Sequence, residues 1–233
     1  MSCNLTRQIS LMNSFWICVF IGLALMVWMF WSRKSIYNLK IWQTIIFMIT
    51  LPIVGFSGAK LLYVIENFKE VMSGGDVGMS FFGTVFIVPL VMPLIGKMIG
   101  VSMRNTLDIC IPGGIAVLGC MRVNCFISGC CSGMLVHGFG TWFPLPVQLF
   151  EAIGDFWILT QILIWEKNHA PKGRIYPIFL VLYGILRFSL EWLRITERPW
   201  LGMSHGHWFS ILAIAIGLTT SIIMERSGKH AKQ

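Results

Sequence analysis

At 233 residues, 56% hydrophobic and only 12% charged, the chain is too apolar for a soluble domain. Its net charge of +8 would suggest nucleic acid in a soluble protein. Here the basic residues fall between apolar stretches, which suits anionic lipid headgroups, and no nucleic-acid partner is expected. Seven cysteines, an odd number placed mostly in or beside apolar stretches, argue against a disulfide framework.

Seven apolar stretches can be drawn in chain order, at roughly 14–32, 41–65, 80–101, 107–121, 146–165, 175–193 and 207–224. The first is followed by Arg33-Lys34 rather than by a small-residue cleavage site, so it reads as an anchor. The fourth is short and glycine-rich and reads as a broken or re-entrant element. With the N-terminus outside, the inner loops hold Arg33, Lys34, Lys40, Lys97, Arg104, Lys167, Lys172, Arg174, Arg226, Lys229 and Lys232. The outer loops hold Arg7, Lys69, Arg122, Arg194 and Arg198. That bias predicts an N-terminus outside and a C-terminus inside. The fold expected is an all-α polytopic membrane protein of about seven transmembrane helices, with 1–233 as one integral membrane domain. Trp142, Trp165, Trp192, Trp200 and Trp208 lie near predicted span ends, as interfacial aromatics do.

Four polar groupings are not explained by the membrane. The first is Gly58-Ala59-Lys60-Leu61-Leu62-Tyr63, where Lys60 either snorkels to the interface or meets a ligand. The second runs from Gly119 to Gly133 and sets Arg122 among small residues that allow close backbone approach. Its Cys120, Cys125, Cys130 and Cys131 have spacings unlike the C-x₂-C pattern of zinc sites. No metal is expected there, and the cysteines read as small packing residues. The third is Pro146-Val147-Gln148-Leu149-Phe150-Glu151 with Asp155, whose polar side chains share a helix face and call for an arginine such as Arg122 or Arg187. The fourth is Tyr183, Arg187, Glu191 and Arg194, which fall at i, i+4, i+8 and i+11 and so share one face if that stretch is helical. An arginine in an apolar span costs about 2.5–3.5 kcal/mol on insertion scales, a cost met by holding a charged group. A structural ion pair locking helices together is the alternative for Glu151 and Glu191.

These groupings, in this order, resemble the prolipoprotein diacylglyceryl transferase family. Gly58 to Tyr63 looks like its glycine–x–arginine/lysine–tyrosine segment, and Gly78-Met79-Ser80-Phe81-Phe82-Gly83 like its G-M-S-F-H-G element. Arg122 to Gly133 resembles the signature G-R-x-G-N-F-x-N-G-E-x-x-G, and Pro146 to Glu151 is similar to P-x-Q-L-Y-E. Tyr183 to Arg194 follows Y-G-x-x-R-F-x-x-E-x-x-R.

The resemblance implies a cofactor-independent enzyme of the bacterial inner membrane. Such an enzyme moves the diacylglyceryl group of phosphatidylglycerol to the lipobox cysteine of a lipoprotein precursor. It implies catalytic roles for Arg122, Arg187, Tyr183 and His207. Phospholipid contacts would come from Arg122, Arg187, Lys60, Tyr63 and Arg194, and support for the arginines from Gln148, Glu151 and Glu191. Arginine suits the task because its planar fork binds phosphate through two bonds and stays charged. The chain departs from the family at Phe82, where a histidine is usual, at Cys125 and Cys130 in the signature, at Leu145, at His207 and at Phe15. His207 is the candidate to replace the missing base, against a reading as an interfacial residue bonded to water or lipid. Two other functions stay open. One is a paralogous transferase with another acceptor; the other is a non-enzymatic lipid-binding or redox membrane protein built on the cysteines.

Overall fold

In the computed structural model, residues 2–75, 78–138, 141–169, 173–198 and 201–230 are described, side chains at 2–11, 169 and 225–230 excepted. Lys172, Trp200 and Lys232, used above, lie outside the described residues. Among the described residues, eight helices and one hairpin follow in the order α1 (Ser2–Arg33), α2 (Ile41–Glu66), α3 (Phe68–Met72), α4 (Phe81–Met98), α5 (Met103–Ser128), β1 (Leu135–Gly138), β2 (Thr141–Pro144), α6 (Val147–His169), α7 (Ile175–Glu191) and α8 (His205–His230). Six of the helices, α1, α2, α4, α5, α6 and α8, are long and apolar enough to cross a membrane. α7 has 17 residues, about 25 Å of helix, close to the thickness of a bilayer core. Large apolar side chains point outward, as lipid-facing surfaces require: Phe20 is 65% exposed and Leu90 66%. The chain is thus an all-α polytopic membrane protein, with one short hairpin added. It forms two compact units, one of residues 1–26 and 115–233 and one of 27–114.

In the 27–114 unit, α2 and α4 cross through small residues. A Cβ on Gly83 would lie 2.1 Å from the Gly58 carbonyl oxygen, and Thr84 Oγ1 donates to the Gly55 carbonyl at 2.7 Å. Lipid offers no hydrophobic drive between helices, so close approach of backbones takes its place. Tyr63 is covered by Gly78, whose added Cβ would stand 2.6 Å from the ring. The first two family-like segments therefore pack on each other. Phe82 is buried at this junction and stacks on Phe86 at 6.0 Å.

The expectation of a broken fourth stretch is corrected: α5 is one continuous helix of 26 residues. Ser102 caps it, its Oγ accepting the Asn105 N–H at 3.4 Å. Pro112 lacks an N–H and so leaves the Asp108 carbonyl without its helical donor. Arg33 supplies one. Its Nη2 donates to that carbonyl at 3.0 Å and its Nη1 to the Ile109 carbonyl at 3.1 Å. Arg33 is buried as a result, rather than lying in a loop as the charge count supposed.

In the other unit, α7 packs on both α6 and α8. A Cβ on Gly184 would meet the Ser210 carbonyl at 2.9 Å, so the α7–α8 crossing is also a backbone contact. The segment between α5 and α6 contains the hairpin, with Val136 opposite Phe143 and His137 opposite Trp142. The Met134 N–H donates to the Leu193 carbonyl at 2.8 Å, and Gly133 forms a bridge with Arg194. The hairpin base is thereby tied to the chain just past α7.

Candidate active site

The site grows from one face of α6. Gln148, Glu151 and Asp155 recur there at turn spacing, and all three are buried. Glu151 is the hub. Its Oε2 is ion-paired with Arg122 Nε from α5 at 2.9 Å, and its Oε1 with Arg187 Nη1 from α7. Arg187 also reaches its own helix neighbour, with Nη2 2.9 Å from Glu191 Oε2. Arg194 Nη1 lies 3.8 Å from both Glu151 Oε1 and Glu191 Oε2. Three guanidinium groups therefore converge on two carboxylates, leaving one positive charge in excess within the ion-paired set.

The three arginines are not equivalent. Arg187 is buried and held on both sides by carboxylates. Arg122 and Arg194 keep 13% and 14% of their side chains accessible, against 7% for Arg187. Arg122 engages Glu151 through Nε alone and also faces Tyr183 and Asp155 electrostatically. Tyr183 is fully buried and stacks on Phe179 at 5.4 Å. Neither Asp155 carboxyl oxygen has a hydrogen-bond partner among the described residues.

Two expectations change. α7 stops at Glu191, and Arg194 reaches the cluster through a turn and its bridge with Gly133, not through helical spacing. His207 is not an interfacial residue in contact with water or lipid: it is completely buried. Its Nδ1 accepts the Ser204 N–H at 3.2 Å, and its ring lies edgewise to Trp192 at 4.5 Å and Phe188 at 5.1 Å. Ser204 Oγ in turn donates to Glu191 Oε1 at 2.8 Å. Gly206 is needed here, since a Cβ on it would come within 2.5 Å of the Glu191 carboxyl carbon. Ser204 was not anticipated from the sequence; its position three residues before a histidine at a helix start was the available signal.

Gln148 is also drawn in, its Nε2 donating to the Cys130 carbonyl. The structure thus brings Arg122, Arg187, Arg194, Glu151, Glu191 and, through Ser204, His207 into one connected network, with Tyr183 facing Arg122, while Gln148 holds the Cys130 carbonyl beside it. Lys60 and Tyr63 belong to the 27–114 unit, where Lys60 Nζ stands 5.7 Å over the Phe56 ring.

A bundle of apolar helices with an arginine–carboxylate network buried among α5, α6 and α7 defines a polytopic membrane protein. The family model described as prolipoprotein diacylglyceryl transferase matches residues 8–223. The chain is 30% identical to phosphatidylglycerol–prolipoprotein diacylglyceryl transferase 2 of Clostridium perfringens, over 70% of this chain and 71% of that protein. It is 28% identical to the phosphatidylglycerol–prolipoprotein diacylglyceryl transferase of Clostridium tetani, over 70% and 74% of the two chains. It is 27% identical to the protein of that name from Lactococcus lactis subsp. lactis, over 89% and 88%. The chain belongs to the prolipoprotein diacylglyceryl transferase family.

Proposed function

We infer that this protein is a transferase of the bacterial inner membrane that moves the diacylglyceryl group of phosphatidylglycerol to the lipobox cysteine of a lipoprotein precursor. The observation that carries this reading is the excess guanidinium charge of the Arg122–Glu151–Arg187–Glu191–Arg194 network. In the reaction the thiol sulfur bonds to the diacylglyceryl carbon, the bond from that carbon to the phosphate oxygen breaks, and glycerol phosphate leaves. Negative charge grows on the departing phosphate. Preorganised guanidinium donors in a dry site stabilise that charge without reorganising. Arg122 and Arg194 serve as the phosphate contacts, and Arg187 with Glu151 and Glu191 fixes their positions. Tyr183 orients the lipid beside Arg122, and Lys60 and Tyr63 are further lipid contacts. Gln148 holds the turn after α5.

The thiol proton needs a destination. A phosphate diester carries one charge, and the monoester formed from it has a second pKa of about 6. The leaving group can therefore take the proton itself, so a protein base is not obligatory. This fits Phe82, which offers no proton acceptor. It also fits His207, which positions Ser204 and Glu191 as a buried support.

Phe82 favours one second reading, in which the same lipid site serves an acceptor other than a thiol. Complementation separates the two. In a bacterium depleted of its own transferase, this chain is expected to restore growth and diacylglyceryl-modified lipoproteins. Turnover of phosphatidylglycerol without lipoprotein modification would assign another acceptor.

A further inference from the structure

α6 and α7 meet along a groove that the arginine–carboxylate network does not use. Trp157, Gln161 and Trp165 of α6 and Ile175, Ile178 and Leu182 of α7 line it, around a space of about 250 Å³. From Trp157 to Trp165 the groove follows about 12 Å of helix. Pockets that enclose a whole small molecule run to about 300–1,000 Å³. This one therefore takes a single hydrocarbon chain and leaves any headgroup outside.

Two polar features say what kind of molecule that chain belongs to. Gln161 is exposed within the apolar lining, and its amide has no hydrogen-bond partner among the described residues. Hydrocarbon offers that amide nothing, whereas the ester carbonyl of a phospholipid accepts from it. The second feature is the rim. Arg174 is exposed, directly precedes the lining residue Ile175, and is in no ion pair among the described residues. Asn168, also exposed, continues the face of Trp157, Gln161 and Trp165, the four falling at i, i+4, i+8 and i+11. Lys167 adds an exposed cation at the same end of α6, while its neighbour Glu166 is buried. A guanidinium binds phosphate through two bonds, and basic rims between spans select anionic headgroups.

We propose that the α6–α7 groove is a binding site for one anionic phospholipid, apart from the arginine–carboxylate network. One acyl chain lies against Trp157 and Trp165 on one side and Ile178 and Leu182 on the other. Gln161 donates to an ester carbonyl, and Arg174 with Asn168 holds the phosphate at the rim. No residue of the network lines the groove, so the site does not depend on the transferase reading.

The full-length protein in phosphatidylcholine nanodiscs tests it, with phosphatidate carrying brominated acyl chains as the probe. Bromine quenches a tryptophan only at contact. The chain has 10 tryptophans, so the quenching that disappears in the Trp157→Phe/Trp165→Phe double variant isolates this groove. That part is expected at about five-fold lower mole fraction of brominated phosphatidate than of brominated phosphatidylcholine. Arg174→Gln should abolish the preference. Unlabelled diacyl phosphatidate should displace the probe better than its dialkyl ether, and Gln161→Leu should remove that difference. Size-exclusion elution of each variant checks that it is folded. Equal quenching by the two brominated lipids, a preference that survives Arg174→Gln, or equal displacement by ester and ether would overturn the assignment. So would tryptophans that no brominated lipid reaches because a second copy of the chain covers the face.

Discussion

Glu151 has two arginine partners in close contact, and that asymmetry separates the roles of Arg122 and Arg187. Arg187→Ala leaves both Glu151 and Glu191 short of their main partner in a buried setting. It is expected to cost about 3–5 kcal/mol of stability as well as turnover, read by thermal unfolding in detergent alongside an activity assay. Arg122→Ala leaves Arg187 on Glu151, so unfolding should move little while turnover falls by about 10²–10³-fold. Arg122→Lys should recover only part of that loss, because a point charge lacks the planar fork. Equal effects of Arg122→Ala and Arg187→Ala on unfolding would contradict the division. His207→Gln should lower the rate by less than the ~10²-fold that loss of a general base entails, and leave the pH–rate profile unmoved. A displaced limb of that profile would make His207 the base.

Element by element, the seven apolar stretches each became a helix, because long apolar runs leave little choice of structure in a bilayer. The fourth was misjudged because Pro112, Gly113 and Gly114 read locally as breakers. What keeps α5 whole is Arg33, a partner about 75 residues away in sequence, which no local window reveals. The hairpin was hidden for a similar reason. Val136, Trp142 and Phe143 are good strand residues, but four-residue strands are short, and their docking depends on Leu193 and Arg194. At the site, Tyr183, Arg187 and Glu191 were legible because they lie on one helix, and helical spacing fixes their shared face. Arg194 was placed at the right cluster by the wrong geometry. The Ser204–His207 support was illegible because it depends on the fold of the α7–α8 connection. The glycine crossing of α2 and α4 gives a direct test at this scale. Gly83→Ala forces a Cβ against the Gly58 carbonyl and should destabilise the protein by about 1–3 kcal/mol, seen as a lowered melting temperature. An unchanged melting temperature would mean that the helices do not cross so closely.

For the whole molecule, the charge bias between spans predicts a cytoplasmic C-terminus and a hairpin on the opposite, outer side. Reporters fused after Gln233 and at the hairpin tip should report opposite sides, and a C-terminus accessible only from outside would reverse the orientation. The orientation matters for function, since Arg122, Arg194 and the hairpin base belong to one unit. The central claim is that this unit transfers a diacylglyceryl group, and a purified reaction tests it most directly. The protein, vesicles containing phosphatidylglycerol and a peptide bearing one lipobox cysteine would be incubated together and the peptide mass measured. The prediction is a mass gain of one diacylglyceryl group on the cysteine, matched mole for mole by released glycerol phosphate and abolished by Arg122→Ala. An unmodified peptide from a folded, lipid-loaded protein, or modification that persists in Arg122→Ala, would contradict it.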